Sequence, residues 1–218
     1  MKELGNIYLS WRVGAGHRRY IVGVIKNNAS KGIRFSYIKQ GVEEAQKAGF
    51  APYTEFPELH KEYSEDVLEV FGQRLIKSER SDINTFYDFW EIKPRYRSNK
   101  YYLLAHTQGL LPTDNFEFLA DYYPVKNLCF LTDLAGLTSK KLPAESLKEG
   151  ELLNFKFEPD NPHDKMAVMV YKNNTHIGYI KKIHSRVFHK NGGGKLQLAA
   201  KGIDQNGILK KVFVKVFF

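Results

Sequence analysis

The chain has a single cysteine, Cys129, among its 218 residues. One thiol excludes an internal disulfide and a cysteine-built zinc cluster. No apolar run approaches the roughly 18 residues that a membrane-spanning helix needs. The opening MKELGNIYLSW lacks an apolar signal core followed by a small-residue cleavage site. These absences lead to the expectation of a soluble, cytoplasmic protein with no membrane partner. Gly14-Ala15-Gly16 is not followed by Gly-Lys-Ser/Thr and belongs to no dinucleotide fingerprint, so it reads as a hairpin turn between strands and not as a phosphate loop. The seven histidines form no His-Glu-x-x-His motif and no Cys/His zinc pattern. Neither a kinase-type catalytic loop nor Asp-Phe-Gly occurs. No catalytic residue, metal or cofactor is expected.

What is present is positive charge, unevenly spread. The net charge is +9. Up to Tyr123, 17 Lys and Arg face 16 Asp and Glu; from Pro124 onward, 16 face 8. The excess therefore belongs to the C-terminal part. A basic module attracts nucleic acid, because neutralising phosphates releases counterions.

The N-terminal part opens with alternating apolar residues at Ile7–Trp11, then Tyr20–Ile25 and Ile33–Tyr37, separated by turn residues. This spacing predicts a small antiparallel sheet. A short helix-like run covers Gly41–Gly49. A longer helix is predicted over Ser64–Ile76, with Ser64 and Asp66 at its start to cap it. Its apolar face is Val67, Leu68, Val70, Phe71 and Leu75. The aromatics of Asp82–Ile92, spaced as on a helix, read as core. Lys93–Asn99 is a polar break. The basic and aromatic residues around it, Arg95, Tyr96, Arg97 and Lys100–Tyr102, read as a solvated linker. Tyr101–Gly109 and then Asn115–Leu119 are predicted helical, forming a connector over residues 96–123.

Strands are predicted at Asn127–Thr132, Leu152–Phe157, Met166–Tyr171, Ile177–Ile180, Leu196–Ile203 and Leu209–Phe217, with a short helix at Ile183–His189 and a flexible glycine loop at Asn191–Gly194. Asp204-Gln205-Asn206-Gly207 is a strong hairpin signal. Several short strands with one helix suit a small, partly open barrel of OB kind. The fold class is thus α+β: an N-terminal antiparallel sheet with helices over residues 1–95, the connector, and an OB-like barrel over 124–218.

Glu158-Pro159-Asp160-Asn161-Pro162-His163-Asp164 stands out within the basic part. Two prolines fix φ and push Glu158 and Asn161 extended. Asp160, Asn161 and Asp164 have side chains that hydrogen-bond nearby backbone. A stiff loop at the mouth of a β structure follows, with His163 and Asp164 projecting from it. On composition alone, such a loop is an ordinary rigid turn.

The run E-P-D-N-P-H-D-K-M-A-V, followed by a hairpin and I-G-Y-I, resembles the signature of the HIRAN domain. The resemblance covers about Val125–Phe218. It implies an OB-like barrel that binds single-stranded DNA at its free 3′ end. His163 stands where the family often has tyrosine. Cys129 stands near where some members place arginine, while Phe130 keeps an aromatic beside it. On this reading Phe130, His163 and Tyr179 contact the terminal base or sugar, and Lys165, Lys181 and Lys182 meet phosphates. Asp164 repels phosphate but accepts a hydrogen bond from a sugar hydroxyl, which favours a free 3′-OH. Asn161 holds the loop or donates to the last phosphate.

The N-terminal V-G-V-I, F-S-Y, F-P, Y-S-E-D-V-L-E-V-F-G-Q-R-L and R-S-D are similar to the N-terminal β-subdomain of HipA-type toxin kinases. That resemblance implies a docking or regulatory module. The expected function is therefore non-catalytic recognition of single-stranded DNA 3′ ends in repair, replication or defence. Two alternatives stay open. One is a protein-docking regulator that uses residues 1–95. The other is a metal-dependent nuclease in which Asp160, His163 and Asp164 hold a cation.

Overall fold

The structure, a computed structural model, describes residues 3–137, 140–190 and 193–218. The expected glycine loop at Asn191–Gly194 lies partly outside these residues. Contacts divide the chain into two units. One is Leu4–Asp121. The other takes in Tyr122–Phe218 and Glu3.

In the N-terminal unit the alternating segments become β1 (Leu4–Trp11), β2 (Tyr20–Asn28) and β3 (Gly32–Tyr37). They pair antiparallel in sequence order, and the two-residue β4 (Glu62–Tyr63) continues β3. The Gly14–Gly16 stretch lies between β1 and β2, with His17 N–H donating to the Gly14 carbonyl at 3.2 Å. The core is aromatic: Phe71 meets Phe35, Phe56 and Phe118 at 5.1, 5.0 and 4.9 Å between ring centres. Gly23 makes room for this cluster, since a Cβ there would sit 2.5 Å from the Phe35 ring. The Tyr37 hydroxyl donates to the Phe56 carbonyl and accepts from the Tyr53 N–H, both at 2.8 Å. Burial pushes its pKa up to about 12.

Helix α1 (Lys39–Gln46) follows β3. The helix predicted over Ser64–Ile76 is shorter, α2 (Val67–Gly72), and its expected side-chain cap does not form. Asp66 sits at the N-cap with φ of 53° and its side chain caps no N–H. Helix α3 (Ile83–Phe89) carries the aromatic run, and α4 (Lys100–Thr107) is buried from Tyr101 through Thr107. A helix apolar on all sides belongs inside a core. The Asn99 side chain caps it, accepting from the Tyr102 N–H at 2.9 Å.

The predicted helical turn at Asn115–Leu119 is instead a strand, β5 (Phe116–Tyr122), which lies beside β1 and completes the order β4-β3-β2-β1-β5. Segment length allowed either element. The unpaired edge of β1 decided it, because backbone donors there need partners. Buried Glu117 on β5 receives hydrogen bonds from Arg19 and Ser10. Residues 96–121 belong to the N-terminal unit, which takes in helix α4 and strand β5 up to Asp121.

The C-terminal unit is a six-stranded sheet of β6 (Cys129–Asp133), β7 (Leu152–Glu158), β8 (Ala167–Lys172), β9 (Thr175–Tyr179), β10 (Gln197–Asn206) and β11 (Ile208–Phe217), ordered β6-β11-β10-β7-β8-β9. The described pairs are antiparallel. Its two edges meet at one bridge past the end of β6. Ala135 and Tyr179 exchange N–H···O=C bonds of 2.8 and 2.9 Å. One face is closely packed, with Val168, Val170, Ile177, Val212, Val214 and Val216 all at 0% exposure. The predicted hairpins stand where the turn residues put them. Asn206 pairs with Ile208 around Gly207 (φ 69°), and Lys172 pairs with Thr175 around a turn begun by Asn173 (φ 51°). Helix α5 is the four-residue stretch Arg186–His189.

Candidate nucleic-acid interface

The proline loop leaves β7 at Glu158 and enters β8 at Ala167. Its shape follows from short side chains bonding backbone. Asn161 is the hub: its Oδ1 accepts the N–H groups of His163 and Asp164 at 3.0 and 3.2 Å, and its Nδ2 donates to Glu158 Oε2 at 3.1 Å. Asp164 Oδ1 accepts the Met166 N–H at 2.9 Å, and its carbonyl accepts from Ala167. Both prolines and His163 are exposed, while Asn161 and Asp164 are half-buried. Asn161 is therefore a loop-holding residue. The other role considered for it, donation to a phosphate, competes with its bond to Glu158.

Register brings the end of β9 to this loop. Met169 pairs with Tyr179, and Ile180 N–H donates to the Val168 carbonyl at 3.0 Å. The half-buried Tyr179 donates its hydroxyl to Glu158 Oε2 at 3.0 Å. Burial raises the Tyr179 pKa, and the Glu158 carboxylate raises it further. Burial works against the charge on Glu158 itself. The hydrogen bonds from Asn161 and Tyr179 outweigh it, so the Glu158 pKa lies below the ordinary 4.5. His176 meets the Tyr179 ring edge-on at 4.7 Å. Burial lowers its pKa, helped by the positive charge of Lys140.

The Glu158 and His176 shifts are both downward. A group whose folded pKa is depressed stabilises the fold above its ordinary pKa and loses that contribution as pH falls through the folded value. His176 begins to do so below about pH 6.5 and Glu158 below about pH 4.5, the ordinary values from which both are depressed. Tyr179→Phe removes one of the two donors that hold Glu158 ionised. The folded pKa of Glu158 then moves back toward 4.5, so the midpoint of acid loosening of the loop, followed by limited proteolysis against pH, lies at a higher pH than in the wild type. An unchanged acid midpoint would show that the Tyr179 bond contributes nothing to the carboxylate.

Two expected contact residues are corrected by their burial. Phe130 is 0% exposed. Its ring lies 3.9 Å from that of Tyr122 at an interplanar angle of 14°, so Tyr122 already occupies a stacking face. His184, buried and bonded through Nδ1 to Thr132 Oγ1 at 2.8 Å, meets the Phe130 ring at 5.3 Å. Phe130 is core, not a platform for a base. Lys181 is 2% exposed and pairs with the buried Asp133, so it does not reach a phosphate. His163 in the loop, Lys165 just after it and Lys182 beyond the end of β9 are exposed. Asp160, His163 and Asp164 make no three-ligand cluster, and none is present among the described residues. No helix among those residues is long and apolar enough to cross a membrane.

The structure adds residues that sequence spacing did not single out. Phe157, Met166 and His189 stand together beside the loop: the Phe157 and His189 rings are 4.5 Å apart, and His189 Nε2 lies 3.2 Å from the Met166 carbonyl. The available signal was a phenylalanine immediately before the loop. Its exposure depends on α5, which sequence alone could not bring there.

No curated protein matches the chain. Among solved structures, the crystal structure of the HIRAN domain of human HLTF is similar at 17% identity and a TM-score of 0.33, covering 41% of this chain and 74% of that one. The family model described as HIRAN domain matches residues 127–191. That span runs from the residues before β6, through the proline loop, to just past α5; the chain carries a HIRAN domain at residues 127–191.

Proposed function

We propose that this chain is a non-catalytic cytoplasmic protein that binds single-stranded DNA at free 3′ ends through an OB-like barrel formed by residues 124–218. Repair, replication or defence against foreign DNA would use such recognition. The HIRAN match supports the DNA reading, since that domain is a module for 3′ ends of single-stranded DNA. The charge excess from Pro124 onward supports it too. The bridge between Ala135 and Tyr179 supports the barrel.

The observation that carries the proposal is the locked loop, with exposed His163 beside a half-buried Asp164 whose Oδ1 is fixed by the Met166 N–H. That bond orients the carboxylate. Its second oxygen then accepts a hydrogen bond from a terminal 3′-OH and repels a 3′-phosphate. His163 stacks on or bonds the last nucleotide, with Tyr179 behind it, and Lys165 and Lys182 neutralise phosphates. Fluorescence-anisotropy titrations of 3′-OH, 3′-phosphate, 5′-end and duplex oligonucleotides at two salt concentrations test this. Asp164→Ala weakens 3′-OH binding by about ten-fold or more, the worth of a hydrogen bond to a charged group, and relieves the repulsion of a 3′-phosphate, so the preference for 3′-OH over 3′-phosphate falls. Asp164→Asn keeps the bond to Met166, so it separates the carboxylate's role from loop integrity. Equal losses on both ends would contradict the proposed role.

A second reading is favoured by the separate core of Leu4–Asp121. In it this unit, HipA-like in its sequence motifs, docks a kinase-like or helicase-like protein. A pull-down that recovers no partner, alongside tight salt-sensitive DNA binding, counts against it.

A further inference from the structure

Phe157 and Met166 are 43% and 40% exposed, though both belong to apolar types that folding normally hides. They are not loose. Phe155 packs edge-on against buried Phe188 at 4.9 Å and lies 5.9 Å from Phe157, so the Phe157 ring rests on a fixed support. The His189 ring lies beside Phe157 with an interplanar angle of 48°, and the imidazole is tied to the Met166 carbonyl. The result is a small preorganised aromatic and thioether surface, continuous with the proline loop through Glu158 on one side and Lys165 on the other.

Its setting is cationic. Lys165, the chain neighbour of Met166, is exposed, whereas Lys156, also exposed, precedes Phe157 in β7 and projects from the opposite face of the strand. The carboxylates at the two ends of the loop are engaged: Glu158 accepts from Asn161 and Tyr179, and Asp164 accepts from Met166. An aromatic ring near an exposed lysine, in a part of the chain with an excess of positive charge, matches a nucleobase with a flanking phosphate, because stacking is indifferent to base identity while cations track the backbone.

We propose that Phe157, supported by His189 and flanked by Met166, is the stacking platform for an unpaired base inward of the strand terminus. The loop would hold the terminal nucleotide and Phe157 a base one or more steps before it. The proposal rests on the DNA-end reading above and extends the footprint beyond the end itself.

The test uses the full chain and 5′-labelled ten-nucleotide thymidine strands with a 3′-OH. A second set has a single abasic residue moved stepwise inward from the 3′ end. Phe157→Ala weakens binding of the intact strand about ten-fold, the size of one base–aromatic stack, while Phe157→Trp retains wild-type affinity. At one internal position the abasic residue weakens wild-type binding by a similar factor and leaves Phe157→Ala unaffected, since each change removes a partner of the same stack. Wild-type affinity in Phe157→Ala, or an abasic penalty equal in both proteins at every position, overturns the platform and leaves the DNA-end reading standing. A wild-type chain that binds none of the strands overturns both.

Discussion

Lys181→Ala destabilises the C-terminal unit by about 3–5 kcal/mol, the cost of removing one partner from a buried ion pair. Lys181 is 2% exposed and Asp133, its partner, 5%. Asp133 ends β6 opposite Phe213 of β11, so its carboxylate stays inside the unit when the ammonium is removed. A buried carboxylate that loses its ammonium loses the charge that offset most of the cost of leaving water. For a unit of this size each kcal/mol lowers the melting temperature by about 4–8 °C, so a drop on the order of 15 °C or more follows in far-UV circular dichroism. The double variant Lys181→Met with Asp133→Leu regains most of the loss, because removing both charges together removes the desolvation penalty as well. Lys182→Ala, at an exposed neighbour, leaves the melt unchanged. A loss below about 1 kcal/mol for Lys181→Ala would be the value for a solvated surface pair, and would mean that water reaches this one.

Arg74→Met costs the N-terminal unit about 1.5–3 kcal/mol, because Asp114 stays partly solvated while the Gly109 and Phe116 carbonyls lose a charged donor. The buried guanidinium grips Asp114 with two bonds of 2.5 and 2.8 Å, donates to the Gly109 carbonyl at 2.8 Å and reaches the Phe116 carbonyl at 3.3 Å. It also lies 5.6 Å from the centre of the Phe118 ring. One side chain thus ties the segment after α2 to the turn that launches β5. That turn has no slack: Gly109 has a φ of 51°, and a Cβ there would come within 2.9 Å of Leu104 and Phe118. Arg74→Lys keeps the charge but lacks the planar fork that makes the bidentate contact, so it recovers only part of the loss. Both tryptophans, Trp11 and Trp90, lie in the N-terminal unit. Urea unfolding followed by tryptophan fluorescence therefore reports this unit. An Arg74→Lys midpoint equal to wild type would show that fork geometry contributes nothing here.

Much of the fold was legible in short-range chemistry. Asn206-Gly207 and Asn173-Asn174 announce hairpins because few other residues accept positive φ cheaply, and the strands on either side pair as the turns require. The proline loop was legible for the same reason: its rigidity comes from residues within a few positions of one another. Asn115–Leu119 reads as helical in the sequence and is strand in the structure because the partner of β5, β1, lies about a hundred residues earlier in the chain. Residue type, together with the HIRAN resemblance, points Phe130 and Lys181 to the interface. Burial by Tyr122, His184 and Asp133 removed them.

Sequence alone therefore determined the turns, the stiff acidic and histidine-bearing loop, and the segregation of positive charge into the C-terminal part. Each depends on residue type or on neighbours along the chain. Tertiary structure alone decided which side chains around that loop meet solvent: it hid Phe130 and Lys181 and exposed Phe157 and Met166 beside His189. Solvent contact at a strand or helix position is set by what packs against it, and those neighbours come from distant parts of the chain.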